Sequence, residues 1–231
     1  MADVAERAFA VPVQMVRCGV DIRSIPTRHL GEAVSDSGPS VVRLLCVGVL
    51  APWRRFEDVI RAVAAAREQG CECRCEIIGS ERFWPSYGTF LRQVVTALGL
   101  SGAVELRFES VTDAELEQAY ARADVAVFPN EQQAWGLAQL EAMARGVPVV
   151  VSRGAGVSEV LSDGEHGLLV DPRRADQVTG AILRLATDLP LRNALAERGR
   201  ALVLASYTSV HYARQMLGLF RRCVAGRRRS D

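Results

Sequence analysis

The chain reads as an α/β protein: a single doubly wound parallel sheet of about six strands, with extra helices toward the C-terminal end. Three observations predict this. Apolar runs short enough for strands alternate with stretches of helical periodicity about six times along the sequence. The first run, Val41–Gly48, is apolar on both alternating faces, as expected of a strand covered on both sides. Turn residues such as Gly70, Gly99 and Pro129-Asn130 punctuate the alternation. Strands and helices in this order imply a parallel sheet with helices on both faces. Ligands in such sheets bind beyond the carboxyl ends of the strands.

Each element has its own signal. Val11–Val16 predicts a short strand, and Ser35–Ser40 has the composition of a linker. After the Val41–Gly48 strand, Phe56, Val59, Ile60, Val63 and Ala64 recur at helical spacing, so a helix is expected over Phe56–Gln69, stopped by Gly70. Cys73–Gly79 reads as a strand, Phe90–Leu98 as a helix and Val104–Phe108 as a strand. A helix over Asp113–Ala121 has Thr112 as N-cap, with Asp113 and Glu115 in the first turn facing the helix dipole. Asp124–Phe128 is a strand, Leu137–Arg145 a helix and Val147–Val151 a strand. Val157–Leu161 is a short helix and Gly167–Val170 a short strand ending at Asp171-Pro172. Helices near 175–187, 190–205 and 208–224 close the chain. The expected division is 1–40 as a leading segment with linker, 41–205 as the sheet domain, and 206–231 as a last helix and basic tail.

Composition narrows the function. The chain has 231 residues, 49% apolar and 24% charged, ordinary values for a globular protein. No apolar run is long enough to span a bilayer, and the N-terminus lacks the basic start and apolar core of a signal peptide. A net charge of +1 argues against a nucleic-acid partner. All 28 basic residues are arginine, which together with the alanine content suggests a GC-rich bacterial genome. Cys71, Cys73 and Cys75 alternate along an apparent strand, where adjacent residues face opposite sides. With no Cys-x-x-Cys pair and no histidine nearby, they read as thiols in a reducing cytosol rather than as a metal site. The three histidines, His29, His166 and His211, form no spaced pair and no triad.

The most informative stretch is Gln133–Val150. It reads as a tight glycine turn, a three-turn helix, a glycine stop and a buried strand. A helix opening on Trp135-Gly136-Leu137 offers free backbone N–H groups and the positive end of its dipole to an anion. Glu141 lies one turn beyond Leu137 on the same face. An anion site beside a lone carboxylate suits a ligand with both phosphate and hydroxyls, such as a nucleotide-sugar.

These residues resemble the donor-site signature of retaining glycosyltransferases of the GT-B fold, family-4 type. There a Glu, seven residues and a second Glu enclose Phe-Gly-Leu, followed by Ala-Met-Ala-x-Gly-x-Pro-Val-Val. Glu141 matches the second Glu; Gln133 stands in place of the first, and Trp135 in place of Phe. Val16–Asp21 resembles the stretch joining the two domains of that fold, with Cys18 for Asn. Leu45–Arg55 resembles the first strand and phosphate loop, with Val49 where the family has Arg and Arg54 where it has Lys. Asp163–Val170 matches a late stretch of the same domain. The resemblance covers nearly the whole chain and half of the family's fold: the C-terminal, Rossmann-like, donor-binding domain.

The resemblance implies a UDP-, GDP- or ADP-sugar donor as substrate, no tightly bound cofactor and no metal. It implies Gln133 and Glu141 as catalytic-site residues, and Gly48, Arg54, Val111, Trp135, Gly136, Leu137 and Ala138 with Glu141 as donor-binding residues. Several have ordinary alternatives. Trp135 reads equally as packing for the turn, Gln133 as a plain loop residue and Arg54 as a solvated one. Arg54 and Arg55 are both able to meet a phosphate bidentately. The family's last helix crosses onto the acceptor domain, so the stripe Val210, Ala213, Met216, Leu217 and Phe220 either packs on its own domain or seeks a partner by self-association or acceptor-domain contact. The closing Arg227–Arg229 run allows a weak attraction to anionic lipid, on the order of 1 kcal/mol per residue, at the inner face of a membrane. Transfer of a sugar with retention is the expected activity; a non-catalytic, regulatory binder of the same fold is the alternative.

Overall fold

The computed structural model describes residues 14–22, 41–109 and 111–227, with side chains through Val224. Six strands form one sheet: β1 (Val42–Val47), β2 (Cys73–Ile78), β3 (Val104–Arg107), β4 (Val125–Phe128), β5 (Val149–Ser152) and β6 (Leu168–Val170). Their order is β3-β2-β1-β4-β5-β6 and every pairing is parallel. The chain runs outward from β1 to β3 and then returns to β4 beside β1. The order reverses between β1 and β4, and the crevice at their carboxyl ends is where this topology binds ligands.

Helices α1 (Phe56–Glu68), α2 (Pro85–Ala97), α3 (Asp113–Arg122), α4 (Leu137–Ala144), α5 (Ala175–Thr187), α6 (Leu189–Ser206) and α7 (Ser209–Arg227) follow. Period-2 alternation in β4 shows how the sheet makes two cores. Val125 and Val127 join one cluster with α1, α2 and α5, while Ala126 and Phe128 join the other with α3, α4 and α6. Cys73 and Cys75 share the first of these faces. Burial pushes the Cys73 thiol up to about 12, which makes it a packing group rather than a nucleophile.

Most expected elements are present, within a residue or two. Thr112 caps α3, and Glu115 returns the bond to the Thr112 backbone as a capping box. Three expectations need correction. Helix α2 starts at Pro85, five residues before the predicted Phe90, because proline is preorganised for the first helical position. The short helix after β5 is a 3-10 turn over Gly156–Val160. Of the expected Val11–Val16 strand, residues 14–16 are irregular and the rest lies outside the described residues. The segment 14–22 instead lies along the α6–α7 junction, where Val20 N–H donates to the Tyr207 carbonyl at 2.9 Å and Ser209 N–H to that of Val20 at 2.8 Å. The expected linker Ser35–Ser40 and His29 fall outside the described residues. The α7 stripe is not covered: Val210, Ala213, Leu217 and Phe220 are exposed and Met216 is half-buried. Among the described residues no helix is long and apolar enough to cross a membrane.

Candidate functional site

The loops after β1 and β4 meet at the reversal point. Trp53 carbonyl accepts from Glu131 N–H at 2.8 Å, which ties the two loops together. After β1, Gly48 N–H donates to Ile78 at 3.0 Å and the chain turns through a 3-10 turn, Pro52–Arg54. Arg54 folds back over Gly48, so that a Cβ placed there would lie 3.4 Å from the guanidinium carbon.

The two arginines of this turn have opposite fates. Arg55 adopts a left-handed conformation, φ 56°, rare for a residue with a side chain. It donates twice to Asp58, at 2.9 Å each, and pairs with Glu57 at 2.8 Å. Both acids are buried, and Glu57 also accepts from the Tyr87 hydroxyl at 2.5 Å. Arg55 is therefore spent inside the fold, which removes it as a phosphate ligand. The Arg54 Nε and Nη1 atoms are buried with no partner among the described residues. Burial pushes its pKa down, although an arginine stays charged at any ordinary pH. A buried, unanswered cation on a turn at a ligand crevice is ready for an anion.

Beyond β4, the chain reaches α4 through Gly136. A Cβ at Gly136 would lie 2.8 Å from both Val157 Cγ1 and Gln139 Oε1, so the turn needs glycine for packing room. No side chain caps α4 and no acid occupies its first turn. The amides of Leu137 and Ala138 are thus left for water or a ligand. Leu137 itself is exposed, and Ala138 packs at the edge of the second core.

Glu141 lies one turn further on, half-buried. Burial raises its pKa; Arg145 opposes this and Glu117 adds to it. Arg145 is itself engaged by Glu117, at 2.9 and 3.1 Å, and stacks over Tyr120 at 4.5 Å. Among the described residues Glu141 has no ion pair of its own, and the buried Tyr120 hydroxyl beside it favours its charged form. A carboxylate kept in this state accepts hydrogen bonds from hydroxyls well. Val111, just before the α3 capping box, is half-buried against the same core.

Gln133 is held by an amide cluster that the sequence did not reveal. Its Oε1 accepts from Asn130 Nδ2 and from Gln139 Nε2, the latter at 2.8 Å. Asn130 Oδ1 and Gln139 Oε1 are buried without a donor among the described residues. Gln133 also pairs as a parallel bridge with Ala155, and it lines a cavity of about 540 Å³ with Trp53, Arg153, Gly154 and Gly156. Trp135 turns elsewhere. Its Nε1 donates to the Cys18 carbonyl at 3.0 Å, its ring meets Tyr207 at 5.9 Å, and Arg17 lies over it. Its side chain anchors the segment 14–22, while its backbone leads into the Gly136 turn. The structure thus gathers Gly48, Arg54, Gln133, Gly136, Leu137 and Ala138 on the loops and helix end beyond β1 and β4. A second cavity, about 560 Å³ and lined by Arg43, Arg74 and Arg122, involves none of the predicted site residues. Among the described residues no group of three His, Cys, Asp or Glu is set to hold a metal ion.

Comparison with known proteins bears on this geometry. Residues 36–202 match the family described as Glycosyl transferases group 1. A D-inositol 3-phosphate glycosyltransferase of Nocardioides sp. is 30% identical over 92% of this chain and 49% of its own. The alpha-D-kanosaminyltransferase of Streptomyces kanamyceticus is 27% identical over 77% of this chain and 45% of its own. The chain therefore spans about half the length of the curated relatives it matches. Among solved structures, Anabaena HepE in complex with UDP superposes with a TM-score of 0.79 at 21% identity, over 91% of this chain and 58% of that one. The C-terminal domain of a group 1 glycosyl transferase (LpcC) from Francisella tularensis superposes at 0.68 with 22% identity, over 82% of this chain and 99% of that one. These last two share the fold.

Proposed function

Because the chain belongs to the group 1 glycosyl transferases, we propose that it binds a nucleotide-sugar and supplies the donor half of a retaining sugar transfer. The observation that carries this reading is the pair of unanswered positive features at one crevice: the Arg54 guanidinium, whose Nε and Nη1 have no partner among the described residues, and the uncapped N-terminus of α4. A diphosphate answers both. In this reading Arg54 and the Leu137 and Ala138 amides hold the diphosphate over Gly48, and Glu141 accepts from the ribose hydroxyls. Val111 packs on the base. Gln133 and the Gly136 turn border the sugar. UDP is the first donor nucleotide to try, because solved HepE structures hold UDP and UDP-glucose.

Retention asks for no nucleophile from this chain, since the departing phosphate is able to serve as base on the same face. Catalysis then rests on stabilising leaving-group charge, the task of Arg54 and the α4 amides. Residues 41–205 carry this site in our reading. Most groups that bind the acceptor come from the remaining half of such an enzyme, on the same polypeptide or on a partner. The exposed α7 stripe is the surface available to that half. The site of action is cytoplasmic, at the inner face of a membrane if the basic tail engages lipid.

One observation favours the regulatory reading. Gln133 is neutral and its carbonyl is tied up by two amides, so it offers no negative charge to a developing oxocarbenium. A transfer assay separates the two readings. The chain, joined or mixed with an acceptor domain of the family, is expected to transfer sugar from one nucleotide donor, and Glu141→Ala to abolish transfer. Tight donor binding with no transfer from any such assembly would establish the regulatory binder instead.

A further inference from the structure

Three exposed aromatic residues, Trp53, Phe83 and Trp84, crowd the loops beyond β1 and β2, and none of the roles above uses them. Trp53 is 36% exposed, Trp84 39% and Phe83 71%. Trp53 and Trp84 meet edge-to-face, centroids 5.2 Å apart at 86°. Such a contact covers at most one face of either ring. Trp53 lines the same 540 Å³ cavity as Gln133, and its carbonyl is bonded to Glu131 N–H in the Gln133 loop. The aromatic surface is therefore continuous with the pocket assigned above to the sugar.

We propose that Trp53, braced by Trp84, is a stacking platform for a pyranose ring of a carbohydrate acceptor. This rests on the reading of the pocket as a sugar-transfer site. An indole face meets the C–H face of a sugar ring through dispersion and the ring quadrupole. The surroundings supply what the hydroxyls of that ring need. Gln132, Gln133, Ser158 and Glu159 line the cavity beside Trp53, giving amide, hydroxyl and carboxylate partners within one pocket. Its charges are already matched: Arg153 pairs with Asp163 at 3.0 Å and Asp171 at 3.5 Å, and Glu159 with Arg17 at 3.1 Å. A neutral polyol fits a wall of matched charges and open hydrogen-bonding groups. Glu81 and Glu131 on the neighbouring loops are likewise paired, with Arg92 at 3.0 Å and Arg173 at 2.7 Å. The platform thus selects an acceptor that presents a sugar ring.

Saturation-transfer difference NMR on the whole chain tests this, with UDP present and irradiation of the aromatic protons. The probes are methyl α-D-glucopyranoside, methyl α-D-mannopyranoside and methyl β-D-galactopyranoside. At least one is expected to receive saturation on its ring C–H protons. Trp53→Ala is expected to weaken binding about tenfold and Trp53→Phe to retain most of it. Trp84→Ala, which leaves the first ring in place, is expected to fall between. Saturation unchanged in folded Trp53→Ala, or absent for every glycoside in protein that binds UDP, would overturn the platform. Binding of phosphatidylglycerol vesicles that depends on Trp53 would overturn it in favour of a membrane contact. Trp53-dependent glycoside binding in a chain that ignores every nucleotide would keep the platform and remove the donor site.

Discussion

Helices α1 and α4 begin at the same edge of the sheet, beyond β1 and β4, and their N-termini are built in opposite ways. At α1 the first amide and both acids of the first turn have internal partners. Tyr87 hydroxyl accepts from Phe56 N–H at 2.9 Å and donates to Glu57, and Glu57 and Asp58 in the first turn share Arg55. At α4 there is no cap and no acid, and the neighbouring Arg54 has no partner among the described residues. The difference teaches which end is structure and which is site. A terminus closed by its own side chains contributes to stability; one left open in an otherwise well-satisfied fold keeps its interactions for a ligand. Arg54 and Arg55, adjacent in sequence, fall on either side of that line.

The contrast is broken most severely from the α1 side. Arg55→Ala removes the nearest cation of two buried carboxylates, leaving Asp58 only Arg61 at 3.6 Å and Glu57 only the Tyr87 hydroxyl, a loss of about 3 kcal/mol, with the melting temperature expected to fall by about 10 °C. Calorimetry checks this, and nucleotide binding in the surviving folded protein is expected to change little. Arg54→Ala is the mirror image. It removes a buried cation that has no partner among the described residues, so the melting temperature is expected to stay within about 2 °C or to rise. Nucleoside diphosphate affinity is expected to fall at least about tenfold by titration calorimetry, since a charge-assisted bond is lost.

Two smaller effects sharpen the comparison. Gly136→Ala drives a methyl group into Val157 and Gln139, at a cost of about 1–3 kcal/mol, read as a lower melting temperature together with a weaker nucleotide response. Glu141→Gln addresses the last charge in the crevice. The Glu141 pKa is raised by burial, so its folded form holds a proton more tightly than the unfolded chain. The stability linked to that proton is present at low pH and is lost as pH rises through the raised pKa. Glu141→Gln is therefore expected to raise the melting temperature slightly at neutral pH, by on the order of 2 °C, and the difference to vanish below the usual carboxylate range. A pH series of melting curves on both proteins reads this directly.

Much of this was visible in the chain. The apolar runs of β1, β4 and β5 need no partner to be recognised, because both faces are buried and the pattern is local. The Trp135–Arg145 stretch was legible for the same reason: turn, open helix and Glu141 are contiguous. Arg54 and Arg55 were not distinguishable, because their fates depend on a left-handed backbone at Arg55 and on Tyr87, 32 residues away in α2. The i,i+3 spacing of Arg55 and Asp58 was the one available hint. The amide cluster of Asn130, Gln133 and Gln139 joins a loop to a helix and has no sequence signature. Trp135 shows the limit from the other side: it lies inside the most informative motif, yet its indole serves the segment 14–22 through Cys18.

The most direct test is a thermal-shift series on the chain with UDP, GDP and ADP, run in parallel on wild type, Arg54→Ala and Glu141→Ala. One nucleotide at 100 times its dissociation constant is expected to stabilise wild type by about 2.7 kcal/mol, or roughly 5–11 °C for a domain of this size, with the shift cut to about half or less in Arg54→Ala and lost in Glu141→Ala. No shift with any nucleotide from folded wild type, or an equal shift in Arg54→Ala, would contradict the assignment of the open crevice to a donor diphosphate.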